Sequence, residues 1–191
     1  EIIEQFPLQS LALTSSGEDP ESSILSSLHL KSTITALDLS DWNQFSRWDL
    51  LPHNLSILSV DMTTALKTNE AFIQFCRPGL QRLEITLKID LVGELPAVLK
   101  AQSATLTYLH VSVYPHRKTL DGQALADSIQ QLSQLTHLSF DPANPDIELW
   151  DCISSAIQCL PLKYLSFYSL GMRISPDPLG AMLVGIAPTL E

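Results

Sequence analysis

Apolar residues recur along this chain in a six-residue pattern, apolar-x-x-apolar-x-apolar. The triplets are Leu8, Leu11 and Leu13; Ile34, Leu37 and Leu39; Leu55, Leu58 and Val60; Leu80, Leu83 and Ile85; Leu106, Leu109 and Val111; Leu135, Leu138 and Phe140; and Leu162, Leu165 and Phe167. A further copy begins at Leu190. Successive starts lie 21 to 29 residues apart, with a mean of 26. Chance scatters a few such hexads through a leucine-rich chain, but not an unbroken series at near-constant intervals. Self-similarity at this period marks a repeat architecture.

The alternation in the last four positions suits a short strand, whose side chains point to opposite faces with period two. The first apolar residue marks where the chain enters the core. Between hexads the periodicity turns helical. Residues 122–132 carry Ala124, Leu125, Ile129 and Leu132 on one face, with Asp121 as N-cap. Residues 149–160 carry Leu149, Cys152, Ile153, Ala156, Ile157 and Leu160 and end at Pro161. Residues 69–76 carry Ala71, Phe72, Phe75 and Cys76 and end at Arg77, Pro78 and Gly79. Residues 95–101, 24–28 and 179–186 are shorter versions, and 42–51 is the shortest connector.

Each unit therefore reads strand, turn, helix, turn. Strands joined by helical crossovers lie parallel. A unit this small cannot bury its own apolar face, so neighbours stack into one continuous core. The expected fold is an α/β solenoid of about seven repeats, with a parallel sheet inside and helices outside.

These hexads resemble the leucine-rich-repeat superfamily, whose pattern is L-x-x-L-x-L-x-x-N/C-x-L. The first half matches in every copy. Where Asn or Cys belongs, this chain has Trp42, Thr63, Lys88, Tyr114, Asn144 or Met172 and their neighbours. The asparagine ladder that bonds the turn backbone in that family is thus missing or replaced. The irregular repeats are most similar to those of fungal F-box leucine-rich-repeat proteins. That resemblance implies a non-enzymatic protein-interaction scaffold, the substrate-recognition region of a ubiquitin-ligase subunit, reaching its ligase adaptor through a region outside this chain. The alternatives are a ligand-sensing region of an immune receptor or secreted effector, and, further off, an enzyme with its site on the concave face.

If the fourth and sixth hexad positions point inward, the third, fifth and seventh face the concave surface. Toward the C-terminal end these positions place Tyr108, His110, His137, Tyr164 and Tyr168 side by side, flanked by Glu84 and Asp141. Asp38 and Asp61 lie on earlier strands of the same surface. Tyr and His combine an apolar body with a hydrogen-bonding tip, which suits a docking surface for a protein or peptide. Aromatic residues on adjacent strands also stabilise a sheet whether or not anything binds. His110 and His137 lack the further ligands a metal site needs. They also lack a nucleophile set in a catalytic arrangement. No metal, cofactor or catalytic residue is expected.

Composition narrows the partners. A net charge of −10 and a pI near 4.8 disfavour nucleic acid and anionic membranes, which repel negative charge. They favour a basic partner for the carboxylates of the inner face. No run of apolar residues is long enough to span a membrane. Charged residues are only 17% of the 191, which fits a body expecting neighbours at its ends. With no initiator Met, no leader and no polar cap at either end, residues 1–191 read as a single domain cut from a longer chain. Cys76, Cys152 and Cys159 are too few and scattered for a disulfide framework and fit a reducing compartment, cytoplasm or nucleus. Cys152 and Cys159 are expected to pack into the core from one helix face. Asn54, Leu55 and Ser56 form a glycosylation sequon, a short pattern frequent by chance.

Overall fold

A computed structural model describes residues 9–13, 33–41, 51–62, 79–88, 95–114, 122–142 and 147–167. Seven strands follow one another in the chain: β1 (Ser10–Ala12), β2 (Ala36–Leu39), β3 (Ile57–Met62), β4 (Arg82–Lys88), β5 (Tyr108–Tyr114), β6 (His137–Pro142) and β7 (Tyr164–Phe167). They form one sheet in sequence order, every neighbour parallel. Among the described residues three helices connect them: α1 (Leu95–Ala101), α2 (Gly122–Gln130) and α3 (Ile147–Ile157). The register pairs hexad with hexad. Leu37 aligns with Leu58, Leu58 with Leu83, Leu83 with Leu109, Leu109 with Leu138 and Leu138 with Leu165. The chain adopts the α/β solenoid with one parallel sheet that the hexads imply.

The core follows the same arithmetic. Hexad position one is buried at Ile34, Leu55, Leu80, Leu106, Leu135 and Leu162, and positions four and six are buried from β2 to β6. On the longer strands the alternation runs on, burying Met62, Leu87 and Val113 as well. Leu11 on β1 and Leu165 and Phe167 on β7, the first and last strands described, are only partly buried. The helices close the other side of this layer. Leu95, Val98 and Leu99 of α1, Leu125, Ala126 and Ile129 of α2, and Leu149, Ile153, Ala156 and Ile157 of α3 share one cluster with the inward strand residues. The remaining strand positions form the opposite, open face.

Helix α2 ends two residues before the periodicity does, yet Leu132 stays fully buried because a turn carries its amide to the Ile129 carbonyl at 3.0 Å. Helix α3 begins at Ile147 and stops at Ile157, short of Leu160. This corrects one expectation. Cys159 lies beyond the helix end and is exposed, so it does not share a buried face with Cys152. Cys152 is partly buried against the core. Gly122 opens α2 where the chains approach most closely, since a Cβ there would sit 3.1 Å from the Leu149 Cα. No helix among the described residues is long and apolar enough to cross a membrane. The expected helices at 24–28, 69–76 and 179–186, most of the connector at 42–51, the Asp121 cap, Cys76 and the Leu190 hexad lie outside the described residues.

Two devices stitch repeat to repeat. At hexad position two, one carbonyl accepts two amides from the next repeat. Gln9 O takes Thr35 N and Ala36 N, and Thr35 O takes Ser56 N and Ile57 N. The series continues through Ser56, Gln81, Thr107 and Thr136 to Lys163 and Tyr164. Where position two is Ser or Thr, its hydroxyl donates to the same preceding carbonyl: Ser56 at 3.1 Å, Thr107 at 3.0 Å and Thr136 at 3.1 Å. The second device is Gln102, whose fully buried side-chain oxygen accepts the amides of Gly79 at 3.2 Å and Leu80 at 3.0 Å. Gly79 has a φ of 138°, a conformation side chains disfavour, which turns both amides toward one acceptor. Gln102 thus caps two backbone amides where these two repeats meet.

Candidate docking face

Register converts hexad positions into rows across the open face. The first row runs Ser10, Ala36, Ile57, Arg82, Tyr108, His137, Tyr164 from β1 to β7. The second runs Ala12, Asp38, Ser59, Glu84, His110, Ser139, Ser166. The third holds Asp61, Thr86, Ser112 and Asp141. Tyr108, His137 and Tyr164 therefore meet in one row. Glu84 and His110 adjoin in the next, and Asp61 and Asp141 fall in the third. Asp38 is three strands from His110, about 14 Å at ordinary strand spacing. Tyr168 lies outside the described residues.

The first row is a stack. The Tyr108 and His137 rings are 5.9 Å apart with planes 27° from parallel, and His137 and Tyr164 are 6.0 Å apart at 26°. Parallel strands about 4.8 Å apart hold identical register positions at stacking distance without further adjustment. The Arg82 guanidinium lies over the far side of Tyr108, 4.0 Å from the ring centroid. It is fixed there by Glu84, which accepts from Arg82 Nε at 3.0 Å and also from Nη2. Ile57, 39% exposed, extends the row on β3, and Tyr164, 50% exposed, ends it on β7. Tyr164 has a ring partner on one side only among the described residues.

Hydrogen bonds fix the imidazoles. The Thr136 hydroxyl has one proton, and the Thr107 carbonyl 3.1 Å away can only accept it. With that proton on the Thr107 carbonyl, the tautomer of His137 that fits donates from Nδ1, 2.9 Å from the hydroxyl, and keeps Nε2 as an acceptor. His110 Nδ1 lies 2.8 Å from the hydroxyl of Ser139, which is buried although it belongs to the open-face row. The carboxylates differ among themselves. Glu84 is held by Arg82. Asp38 is partly desolvated, which raises its pKa. The Ser40 amide at 2.9 Å and the hydroxyls of Ser40 and Ser59 outweigh this and hold the carboxyl below its ordinary value. Asp141 has no hydrogen bond or ion pair among the described residues.

On the helical side a groove of about 280 Å³ runs between α2 and α3, lined by Gln123, Asp127, Gln130, Asp151, Cys152 and Ser155. The thiols there meet glutamines: Cys152 donates to Gln123 at 3.5 Å, and Gln130 donates to Cys159 at 3.9 Å. No group of three or more His, Cys, Asp or Glu side chains able to hold a metal ion occurs among the described residues. In chemical terms the open face offers stacking surface, a guanidinium and several acceptors. Arg82 and Ile57 were not among the patch residues expected from the sequence. Their shared hexad position with Tyr108 was the available signal. Sequence reasoning missed Gln102 outright, because one glutamine after a short helix has no period to mark it.

No family model matches the chain, and no curated protein is similar to it. Among solved structures it is similar to the leucine-rich repeat-containing protein LegL7 from Legionella pneumophila, at 16% identity and a TM-score of 0.48 over 95% of this chain. The alignment spans 63% of that protein, so the chain matches less than two thirds of its relative's length.

Proposed function

We propose that this chain is a non-enzymatic scaffold that docks a protein or peptide on the open face of its sheet. One observation carries the reading: Tyr108, His137 and Tyr164 form an unbroken ring stack across three adjacent strands, ending in a half-exposed tyrosine. Rigid rings with polar tips give contact area at little conformational cost. The His110–Ser139 pair has the residue types of a base and a nucleophile. However, Ser139 is buried, and β6 pairs on both sides, which commits its backbone amides to the sheet rather than to a developing oxyanion. That favours binding over turnover.

The resemblance to F-box leucine-rich-repeat proteins supports a narrower reading: substrate recognition for a ubiquitin ligase in the cytoplasm or nucleus, with neither nucleic acid nor membrane as partner. Co-purification of a ligase adaptor with a longer natural form of the protein tests it, and a longer form lacking any F-box removes it. The docking face is tested with binders selected on the intact chain from a displayed random-peptide library. Replacing Tyr108 and Tyr164 together by Ala is expected to weaken them at least tenfold, with the circular dichroism spectrum unchanged. Binding at undiminished affinity would refute the docking face.

A further inference from the structure

Resting on that docking reading, we infer that the open end of the stack takes an arginine side chain from a basic partner segment. The row is asymmetric. At its β4 end the face of Tyr108 is covered by the Arg82 guanidinium, 4.0 Å from the centroid. At its β7 end Tyr164 meets His137 on one side, is 50% exposed, and meets no cation among the described residues. Among the described residues the same stack is thus capped by a guanidinium at one end and by no cation at the other. A planar cation lies well on an aromatic face, and arginine does so better than lysine because its charge is spread over a flat, weakly hydrated group.

The polar groups beside the stack favour the same occupant. His137 Nε2 is an acceptor, since Nδ1 donates to Thr136. Asp141, one row away, has neither hydrogen bond nor ion pair among the described residues. A guanidinium brings five donors and no acceptor, which complements an acceptor-rich surface. Charge acts in the same direction over longer distances. In the three rows described above, Asp38, Asp61, Glu84 and Asp141 stand against Arg82, whose charge is already met by Glu84, and the chain has a net charge of −10. An acidic segment would meet repulsion. A neutral apolar one would bring no donor to His137 Nε2 or to the Asp141 carboxylate.

The experiment uses peptides selected on the intact chain from a random nine-residue display library and titrated by fluorescence anisotropy. Arginine is expected to be enriched in the binders. Changing that arginine to lysine should weaken binding on the order of fivefold, and Tyr164→Leu, which keeps apolar area but removes the ring, by a similar factor. Tyr164→Phe, which keeps the ring, should weaken binding less than Tyr164→Leu. Arginine-free binders that still depend on Tyr108 would overturn the arginine inference while leaving the docking face intact. Binders indifferent to both tyrosines would overturn both. Arginine-bearing binders insensitive to Tyr164→Leu, or a selection yielding no binder, would also overturn it.

Discussion

Asp38 sits on β2 with its carboxylate facing the Ser40 amide at 2.9 Å and the hydroxyls of Ser40 and Ser59. Partial burial opposes the charged form, and the hydrogen bonds favour it more strongly, so the folded pKa lies below its ordinary value of 3.8. The consequence for stability has a definite sign. A group whose pKa is depressed on folding stabilises the fold while ionised in both states. That contribution is fully present above the unfolded value and disappears as pH falls through the lower, folded value. Asp38→Asn should therefore lower the urea midpoint at neutral pH, and the gap to the wild-type chain should close below about pH 3.8. A gap of constant size down to about pH 2 would mean that the hydrogen bonds do not act on the ionised carboxylate. The effect is modest because the group is exposed and water screens it.

Between elements, stability depends on satisfying backbone groups where one repeat meets the next. Gln102 follows α1 and accepts the Gly79 and Leu80 amides ahead of β4. Replacing it by Leu keeps the volume but leaves buried donors unmet, which should cost about 2–4 kcal/mol, since each orphaned group costs about 1–3. Equilibrium urea unfolding measures this, and a loss below about 0.5 kcal/mol would show that water or a shifted turn replaces the glutamine oxygen. The same comparison explains what the sequence could and could not reveal. The strands were legible because the hexad repeats and because burial on one face forces a period of two. Even the aromatic row followed, since equal spacing within each hexad became equal register in the sheet. Gln102, Cys159 and the Thr136–His137 bond were not legible. Each depends on where a turn places one side chain, and the connectors vary in length from repeat to repeat. The four Ser and Thr residues at position two (Thr35, Ser56, Thr107 and Thr136) were a visible signal whose meaning appeared only once their hydroxyls met the preceding carbonyls.

For the whole molecule, the strand order β1 to β7 means that each described strand pairs only with the strands before and after it. Stability in such a stack is a sum of weak units and strong interfaces, so damage should be local in effect and graded by position. Leu138 on β6 is fully buried between Leu109 and Leu165, whereas Leu11 on β1 is only partly buried. Leu138→Ala should cost about 2–5 kcal/mol, because a cavity opens among neighbours that cannot all relax. Leu11→Ala removes a side chain that is still partly in water and should cost about 1 kcal/mol, since burial contributes in proportion to the area hidden. Amide hydrogen exchange distinguishes this behaviour from that of an all-or-none globule. In the Leu138→Ala chain, protection should fall most for amides of β5, β6 and β7 and least for those of β1 and β2. A uniform loss along the whole sheet would show that the repeats unfold as one unit. The docking row would then be only as stable as the entire solenoid, instead of being governed by the repeats that carry Tyr108, His137 and Tyr164.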